Sequence, residues 1–190
     1  MSHFNHFDFI APYYDRFIKP SDPTKLSALS GLPVSGLLLD VGGGTGRKSY
    51  PLLKMVTGIV IADSSMGMLS QASKKGGLTT IGSESESLPF EDGSFERVIM
   101  VDALHHVLNY RSTASELWRV TKPGGRIVIE EPDIQTMPIK IMAIIEKLAM
   151  MRSHFISPQE IAISFDYPYA RVNIEVEGST AWIVINKQVE

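Results

Sequence analysis

The stretch Leu37-Leu38-Leu39-Asp40-Val41-Gly42-Gly43-Gly44-Thr45-Gly46-Arg47 joins an apolar run, a carboxylate and a glycine-rich turn. The apolar run predicts a buried strand, and the pattern from Arg47 towards Val56 predicts a helix. Because glycine has no Cβ, a strand, a glycine turn and a helix in this order let a ligand approach the backbone closely. The N-terminus of the following helix favours negative ligand groups. The stretch therefore predicts a ligand site in an α/β protein.

Three kinds of ligand site contain such a turn, and the spacing of the glycines separates them. A dinucleotide site has G-x-G-x-x-G, but after Gly42 and Gly44 the third glycine position holds Arg47, which disfavours a nicotinamide-dependent oxidoreductase. A Walker phosphate loop ends in G-K-S/T, whereas Arg47 separates Gly46 from Lys48 here. The remaining pattern, D-x-G-x-G-x-G, resembles the first signature of the class I S-adenosylmethionine-dependent methyltransferases.

Length and composition fit one intracellular globular domain. The chain has 190 residues, of which 44% are apolar and 21% are charged. Its net charge of −3 offers no electrostatic footprint for nucleic acid. The chain has no cysteine, which excludes disulfides and thiolate chemistry. This also argues against the arsenite-methylating relatives of the class, which rely on thiols.

Neither the N-terminus nor the longest apolar segment has the pattern of a targeting or membrane segment. Met1 to Phe9 lacks the basic-then-apolar order of a secretory signal. Ile134 to Met151 is apolar, but Lys140, Glu146 and Lys147 interrupt it, which disfavours a membrane span. We therefore expect a cytoplasmic protein without a transmembrane segment, and the sequence leaves its oligomeric state open.

The N-terminal stretch from His3 to Phe17 repeats aromatic residues at near-helical spacing and then meets a Tyr-Asp pair. One interpretation is an amphipathic helix that packs on the body of the protein. The stretch is also similar to the Phe-Asp-x-Ile-Ala-x-x-Tyr-Asp opening of the ubiquinone/menaquinone-type methyltransferases, which caps the cofactor pocket. This resemblance implies that Tyr14 is the capping tyrosine and that the segment excludes water from the sulfonium. His3 and His6 have a metal-like spacing, but without a third ligand we expect no metal site.

The second predicted strand, Gly58 to Ala62, ends at the acid Asp63. In a doubly wound sheet, a carboxylate at this place lies over the same crevice as the glycine turn and can accept hydrogen bonds from a ribose diol. Asp63 could equally be the N-cap of the helix that begins after Ser64, and the two roles are compatible. With the glycine turn in place, we favour the ribose role.

An acidic loop follows the third strand, and it resembles the Gly-Asp-Ala-Glu-x-Leu-Pro-Phe stretch of the same family. In that stretch the acid and the next amide contact the adenine edge. Glu84 takes the place of the aspartate here and Ser85 that of the alanine. Alternatives are that Glu86 contributes, that only the Ser85 amide contacts adenine, or that the loop is merely solvated.

The fourth strand, Arg97 to Val101, runs into Asp102-Ala103-Leu104-His105-His106-Val107. This segment resembles the Ala-Leu-His-His-Val stretch of the family, where the backbone meets the methionine part of the cofactor. The two histidines could bind a metal, act as a general base near neutral pH, or serve in packing or cofactor contact. Adjacent residues point in different directions, which disfavours a metal, and packing or cofactor contact is the favoured role.

The C-terminal third contains an apolar segment and two strands. Met137 to Met151 is rich in methionine and predicts either a helix that covers the sheet or an adaptable apolar wall for the acceptor. A helix from Thr113 to Thr121, a break at Lys122-Pro123-Gly124-Gly125 and a strand from Arg126 to Glu130 precede it. The alternation at Val172 to Val176, followed by Thr180 to Asn186, predicts an antiparallel hairpin.

Together these features predict an α/β fold: a Rossmann-like, doubly wound, seven-stranded sheet, mostly parallel, with a C-terminal antiparallel hairpin. We expect a single methyltransferase domain over residues 1–190, with N-terminal cap helices in 1–35, a cofactor-binding core in 36–131, and an acceptor-side helix and terminal strands in 132–190.

The resemblance implies methyl transfer from S-adenosyl-L-methionine to a small, apolar acceptor, with S-adenosyl-L-homocysteine as the product. The alternative is a non-catalytic protein that binds S-adenosylmethionine as a sensor or assembly partner. The sequence assigns no catalytic residue, but His105, His106 and Tyr14 are candidates, and no metal ligand is expected. The implied cofactor-binding residues are Tyr14, Asp40, Gly42, Gly43, Gly44, Gly46, Asp63, Ser64, Met68, Glu84, Ser85, Asp102 and Ala103.

Overall fold

The computed structural model describes residues 6–17, 23–136, 139–140 and 154–190, and their centre is one seven-stranded sheet. The strands are β1 (Leu37–Val41), β2 (Gly58–Asp63), β3 (Leu78–Gly82), β4 (Phe95–Val101), β5 (Thr121–Pro132), β6 (Ala170–Glu177) and β7 (Thr180–Lys187). They lie in the order β3-β2-β1-β4-β5-β7-β6. Strands β1 to β5 pair in parallel, and β7 runs antiparallel to both β5 and β6.

Helices connect these strands. The α-helices are α1 (His6–Phe17), α2 (Pro23–Leu29), α3 (Met66–Ser73), α4 (Tyr110–Val120) and α5 (Pro158–Ile163). Two short 3-10 helices span Tyr50–Met55 and Leu104–His106. Side chains fix several helix starts: Asn109 accepts hydrogen bonds from the backbone at the first turn of α4, and Ser157 and Glu160 form a capping box at α5.

The central strands β1 and β4 carry apolar side chains on both faces. Leu38 and Leu39 are neighbours in β1 and are both fully buried, but they belong to different core clusters on opposite faces of the sheet. Burial on both faces is typical of parallel strands. The chain runs from β1 outward to β3 and then returns to β4 on the other side of β1. This reversal leaves a crevice at the carboxyl ends of β1 and β4, where ligands bind in such folds.

The predicted fold class is confirmed, including the parallel part of the sheet and the C-terminal hairpin. The apolar segment Met137 to Met151 lies almost wholly outside the described residues, so neither interpretation of it is tested.

The prediction of a helix that begins at Arg47 is wrong. The chain from Arg47 to Ser49 forms turns, and the following helix is a 3-10 helix that begins at Tyr50. Pro51 has no N–H group and cannot donate to the carbonyl of Arg47, so the hydrogen-bond pattern of an α-helix is interrupted there.

The predicted start of the fifth strand is also wrong. β5 begins directly after α4, at Thr121, and the Lys-Pro-Gly-Gly sequence lies inside the strand. The ladder with β4 jumps there, because Thr121 pairs with Phe95 and the next pair joins Arg126 to Arg97. The glycines therefore form an irregularity of a strand rather than a loop before it.

Candidate functional site

A cleft of about 970 Å³, measured out to its open mouth, lies at the carboxyl ends of β1, β2 and β4. The structure brings together there nearly all of the residues predicted to bind a cofactor, together with the catalytic candidates Tyr14 and His106. The predicted residues that line it are Tyr14, Asp40, Gly42, Gly43, Gly44, Asp63, Ser64, Met68, Glu84, Ser85, Asp102, Ala103 and His106.

The glycine turn forms the floor of this cleft. The N–H of Gly42 donates to the carbonyl of Ala62 over 2.7 Å, which ties the turn to the end of β2. Gly42 has a φ of 67°, and a Cβ there would lie 2.6 Å from the Cβ of Ala103. Gly44 has a φ of 56°. Both positions therefore require glycine, and the backbone is exposed to a ligand at the point that the sequence predicts.

Asp63 holds the turn in place with both carboxylate oxygens. Its Oδ2 accepts from the N–H of Gly44 over 2.8 Å, and its Oδ1 accepts from the N–H of Ser65 over 2.7 Å. Burial raises the pKa of this carboxyl, while the hydrogen bonds from Ser65 and Gly44 oppose the rise. The helix cap is Ser65 rather than Asp63, because the Ser65 hydroxyl accepts from the N–H of Met68. Each oxygen of Asp63 can still accept a further hydrogen bond.

Asp40 is 1% exposed, and its Oδ2 has no hydrogen-bond partner among the described residues. Burial raises the pKa of this carboxyl to about 7, and the nearby Ser49 side chain and the charges of Lys48 and Arg47 offset the rise only in part. A buried carboxylate oxygen without a partner at the edge of a cleft can accept a hydrogen bond from a cationic ligand group.

The acidic loop after β3 forms the opposite wall. Glu84 and Ser85 both line the cleft, as does Glu86. One oxygen of Glu86 accepts from the N–H groups of Leu108 and Asn109 over 2.9 and 3.0 Å. Glu86 therefore joins the loop to the start of α4. The sequence had suggested Glu86 only as an alternative contributor to the contact with adenine.

The two neighbouring histidines differ in their placement. His106 lines the cleft, and burial together with the adjacent His105 lowers the pKa of His106 to about 3. His105 is 6% exposed and does not line the cleft. Its Nδ1 lies 2.6 Å from Oε2 of Glu131, and its ring stacks on Phe155. The structure thus brings one of the two candidate histidines to the cleft and places the other in the core.

Gly46 is the other predicted residue that does not line the cleft. A Cβ on Gly46 would lie 2.7 Å from Cδ1 of Ile61 and 2.8 Å from Cδ1 of Leu78. Gly46, the last glycine of the motif, therefore permits close packing of the turn on β2 and β3.

The sequence indicated Glu130 at the carboxyl end of the fifth strand and Asp102 after the fourth, but not their pairing with the cations Lys48 and Arg47 on the β5 side of the cleft. Nζ of Lys48 lies 3.0 and 3.1 Å from the two oxygens of Glu130, and Nη2 of Arg47 lies 3.4 Å from Oδ2 of Asp102. Burial raises the pKa of Glu130, and Lys48 opposes the rise. The sequence does contain a signal for this pairing: two cations, Arg47 and Lys48, directly follow the glycine turn, and the neighbouring strands end in acids.

Sequence reasoning also missed how α1 is held. Oδ1 of Asp8 accepts from the Ser65 hydroxyl over 2.6 Å and from the N–H of Gly67 over 2.8 Å. At the other end of the helix, Asp15 accepts from the Thr45 hydroxyl over 2.5 Å and pairs with Lys75 over 2.6 Å. These contacts place Tyr14 at the edge of the cleft, as expected for a capping segment.

Among residues 6–17, 23–136, 139–140 and 154–190, no group of three or more His, Asp or Glu side chains could hold a metal ion. No helix among the described residues has the length and apolar character to cross a bilayer.

Comparisons with known proteins agree with this geometry. The family model described as a methyltransferase domain matches residues 39–129. The demethylmenaquinone methyltransferase of Renibacterium salmoninarum is 32% identical over 134 residues, which are 66% of this chain and 56% of the relative. That of Streptomyces avermitilis is 38% identical over 95 residues, which are 50% of this chain and 41% of the relative. The chain thus spans about half the length of the curated relatives it matches.

Solved structures agree on the fold. An S-adenosylmethionine-dependent methyltransferase from Thermotoga maritima superposes with a TM-score of 0.78 at 22% identity and covers 96% of this chain and 98% of its own. Another from Aquifex aeolicus has a TM-score of 0.72 at 20% identity and covers 97% and 100%.

The resemblance predicted from the sequence is therefore confirmed over residues 39–129, which match the methyltransferase domain, and the sheet has the fold of solved S-adenosylmethionine-dependent methyltransferases. Within that class, the relatives that it matches in sequence include enzymes named demethylmenaquinone methyltransferase. The family implies S-adenosylmethionine as the cofactor.

Proposed function

We propose that this chain transfers a methyl group from S-adenosylmethionine to a small, apolar acceptor and leaves S-adenosylhomocysteine. The observation that carries the proposal is the convergence of the glycine turn, Asp63 and the Asp102 segment on one cleft at the carboxyl ends of β1, β2 and β4. We retain the division into cap helices (1–35), cofactor-binding core (36–131) and acceptor-side segment (132–190) as part of this proposal.

The residues of the cleft fit this cofactor. The buried Oδ2 of Asp40 has no partner among the described residues, and Gly42 and Gly44 present bare backbone. Asp63 keeps acceptor capacity on both oxygens, which suits a ribose diol. Four further lining residues would surround the adenine: Ser64, Met68, Glu84 and Ser85.

When bound, the cofactor supplies a methyl group that its sulfonium already activates, so the protein has chiefly to position the two reactants. The contacts of Asp8 and Asp15 hold α1 against α3 and the glycine turn. Tyr14 lines the cleft, which supports a role for this side chain in excluding water from the reactants.

The acceptor would enter beside His106, Val107 and Leu108, which line the cleft at its mouth. Leu108 is 82% exposed and lines the cleft, so its side chain is available to contact an apolar ligand. The lowered pKa keeps His106 neutral near pH 7, and a group with a pKa of about 3 is a weak base. We therefore assign His106 to hydrogen bonding with the acceptor rather than to proton removal.

The names of the curated relatives suggest an acceptor class. Demethylmenaquinone contains a quinone ring, which becomes an electron-rich aromatic ring on reduction. We extend the proposal to such a reduced quinone ring as the acceptor. Such a ring needs an apolar entrance and neutral hydrogen-bonding groups, which Val107, Leu108 and His106 can offer.

The test is a methyl-transfer assay with 1,4-dihydroxynaphthalene as the acceptor and S-adenosylmethionine deuterated in its methyl group. The expected result is a product heavier by one deuterated methyl group, formed together with S-adenosylhomocysteine and lost in Asp63→Ala. Calorimetry with the same cofactor distinguishes an enzyme from a passive binder. Tight cofactor binding without transfer to this ring or to a panel of small phenols and amines would overturn the catalytic proposal.

A further inference from the structure

The sheet ends at β6 in a long and regular edge. β6 is the last strand in the sheet order, and its outer edge has no strand partner among the described residues. Its ladder with β7 continues from Ala170 to Glu177 without a shift of register. Proteins commonly protect such an edge with proline, lysine, a bulge or a short strand, and the eight-residue β6 has none of these. Its outer backbone groups are therefore suited to pairing with another strand.

One face of β6 is apolar. Val172, Ile174 and Val176 share this face, because side chains alternate along a strand. Ile174 packs against the larger core cluster, whereas Val172 and Val176 are 37% and 53% exposed. Single exposed valines are common on protein surfaces, so they do not by themselves identify a partner.

The opposite face of β6 carries charges of both signs in a definite order. Arg171 lies at the start of the strand, and Glu175 and Glu177 lie at its end. Among the described residues, Arg171 has no ion-pair partner, and Glu177 pairs over 2.6 Å with Lys25 while its side chain remains 72% exposed. A strand that begins with a cation and ends with acids is complementary to a reversed copy of itself.

The other edge of the sheet lacks this property. β3 has only five residues, Leu78 to Gly82, and none of them is charged. It offers no charge pattern that would select a partner or a register. The two edges of the sheet therefore differ in both length and charge.

We propose that β6 pairs with β6 of a second copy of this chain, antiparallel and about a two-fold axis at Ile174. The two seven-stranded sheets then form one continuous sheet. Only this register places the two exposed valines opposite each other. The opposed residues are Arg171 and Glu177, Val172 and Val176, Asn173 and Glu175, and Ile174 and its own copy.

This edge lies away from the cleft. The cleft is at the carboxyl ends of β1, β2 and β4, and β5 and β7 separate β4 from β6. Dimer formation is therefore independent of the function proposed above. Substitutions on β6 should leave the affinity for S-adenosylmethionine unchanged.

Analytical ultracentrifugation of the full chain at a series of concentrations tests the pairing. The wild-type chain should form a reversible dimer. Arg171→Glu places a glutamate opposite Glu177 of the second copy, and Glu177→Arg places an arginine opposite Arg171. Because the two-fold axis repeats each like-charge pair, each variant should weaken the dimer by about tenfold or more.

Combining the two substitutions tests the register. An equimolar mixture of Arg171→Glu and Glu177→Arg restores opposite charges at both pairs, so it should associate as the wild-type chain does. The double variant Arg171→Glu/Glu177→Arg should also form a dimer by itself. General changes of surface charge would not produce this recovery.

Two variants outside β6 serve as matched controls. Lys74→Glu and Glu91→Arg make the same changes of charge at exposed positions and should leave the dimer unchanged. The two β6 variants should remain folded, because both side chains are exposed and a surface ion pair such as that of Glu177 with Lys25 contributes little. Circular dichroism checks the fold of each variant.

Each outcome decides for or against the pairing. A wild-type chain that stays monomeric at about 1 mM would overturn it and would leave the edge to a strand of a different protein. A dimer that neither charge reversal weakens would place the interface elsewhere on the molecule. A dimer that both reversals weaken, without recovery in the mixture, would exclude the axis at Ile174 and overturn the proposal as well.

Discussion

The cleft has two sides that are built by different means. On the β2 side, the glycine turn and Asp63 are joined by hydrogen bonds between backbone N–H groups and one carboxylate, over short stretches of chain. On the β5 side, charged side chains meet across the sheet, and Lys48 and Glu130 are 82 residues apart in sequence. The β2 side follows from a motif, whereas the β5 side exists only because β4 lies between β1 and β5 in the sheet.

This difference suggests a division of labour. The β2 side presents backbone and one shared carboxylate, which suits the invariable nucleoside part of a cofactor. The β5 side combines paired charges, buried acids and histidines, which suits both the methionine part of the cofactor and groups that differ between acceptors. Substitutions on either side, between the sides and above them should therefore have different effects.

The largest effect is expected from Glu131→Ala on the β5 side. Glu131 is 3% exposed and receives the N–H groups of Ala103 and Leu104 and Nδ1 of His105 at 2.9, 2.7 and 2.6 Å. Its removal leaves buried donors without a partner, which should lower the free energy of unfolding by about 5 kcal/mol. Urea unfolding measures this loss.

Two variants serve as controls for this experiment. Glu131→Gln keeps an acceptor oxygen and should lose less stability than the alanine variant. Glu91→Ala removes an exposed glutamate from a loop and should change stability very little. A loss below about 1 kcal/mol in Glu131→Ala would show that the loop after β4 does not depend on this carboxylate.

The next effect concerns Asp40, which lies between the two sides. Its carboxyl has a pKa of about 7 when folded, against a usual 3.8. Between these values the unfolded chain has released the proton and the folded chain still holds it, so this group makes the protein less stable as pH rises from about 4 to about 7. The difference between the two pKa values corresponds to about 4 kcal/mol.

Asp40→Asn should remove this contribution. The difference in free energy of unfolding between variant and wild type should therefore change by about 4 kcal/mol between pH 4 and pH 8, with the variant gaining on the wild type as pH rises. Chemical denaturation at a series of pH values provides the measurement. Parallel pH profiles would contradict a raised pKa of the Asp40 carboxyl.

A smaller effect is expected from Asp63→Ala on the β2 side. The variant loses the acceptor for the N–H groups of Gly44 and Ser65 and the proposed partner of the ribose. Cofactor affinity should fall by at least about tenfold, or about 1.4 kcal/mol, while the sheet remains folded. Calorimetry measures the affinity, and circular dichroism checks the fold. Unchanged affinity would limit Asp63 to shaping the turn.

The smallest effect concerns the segment above both sides. If Tyr14 lies near the sulfonium, its ring attracts the positive charge by roughly 0.5–2 kcal/mol. Tyr14→Ala should therefore weaken S-adenosylmethionine more than S-adenosylhomocysteine, which carries no sulfonium. Tyr13→Ala is the matched control, because Tyr13 is 59% exposed in the same helix and does not line the cleft. Equal losses for both ligands in Tyr14→Ala would favour simple packing.

The sequence predicted the sheet well because each strand carries its own signal. Runs of apolar residues such as Val98 to Val101 are buried on both faces, and the alternation at Val172 to Val176 marks a strand of the terminal hairpin. Element boundaries were less predictable. The helix after the glycine turn is a 3-10 helix from Tyr50, because Pro51 interrupts the α-helical hydrogen bonds. β5 includes the Lys-Pro-Gly-Gly sequence, because Thr121 already pairs with Phe95 of β4.

The candidate site divides in the same way. The glycine turn, Asp63 and the acidic loop are recognisable from the order of residues, since their spacing along the chain sets their geometry. Tertiary structure alone revealed the pairing of Lys48 with Glu130 and the placement of His106, but not His105, at the cleft. It also revealed the hydrogen bonds by which Asp8 and Asp15 join α1 to Ser65 and Thr45.

By itself, the sequence determined the α/β class, the glycine turn and the acid at the end of β2, because periodicity and turn chemistry are properties of neighbouring residues. Only the tertiary structure decided which charges lie in contact and which are buried. Those properties depend on strand order and on the exclusion of water. The same exclusion raises the pKa of Asp40 to about 7, and the fold places the Arg47 guanidinium, 11% exposed, between Asp102 and the Tyr14 ring.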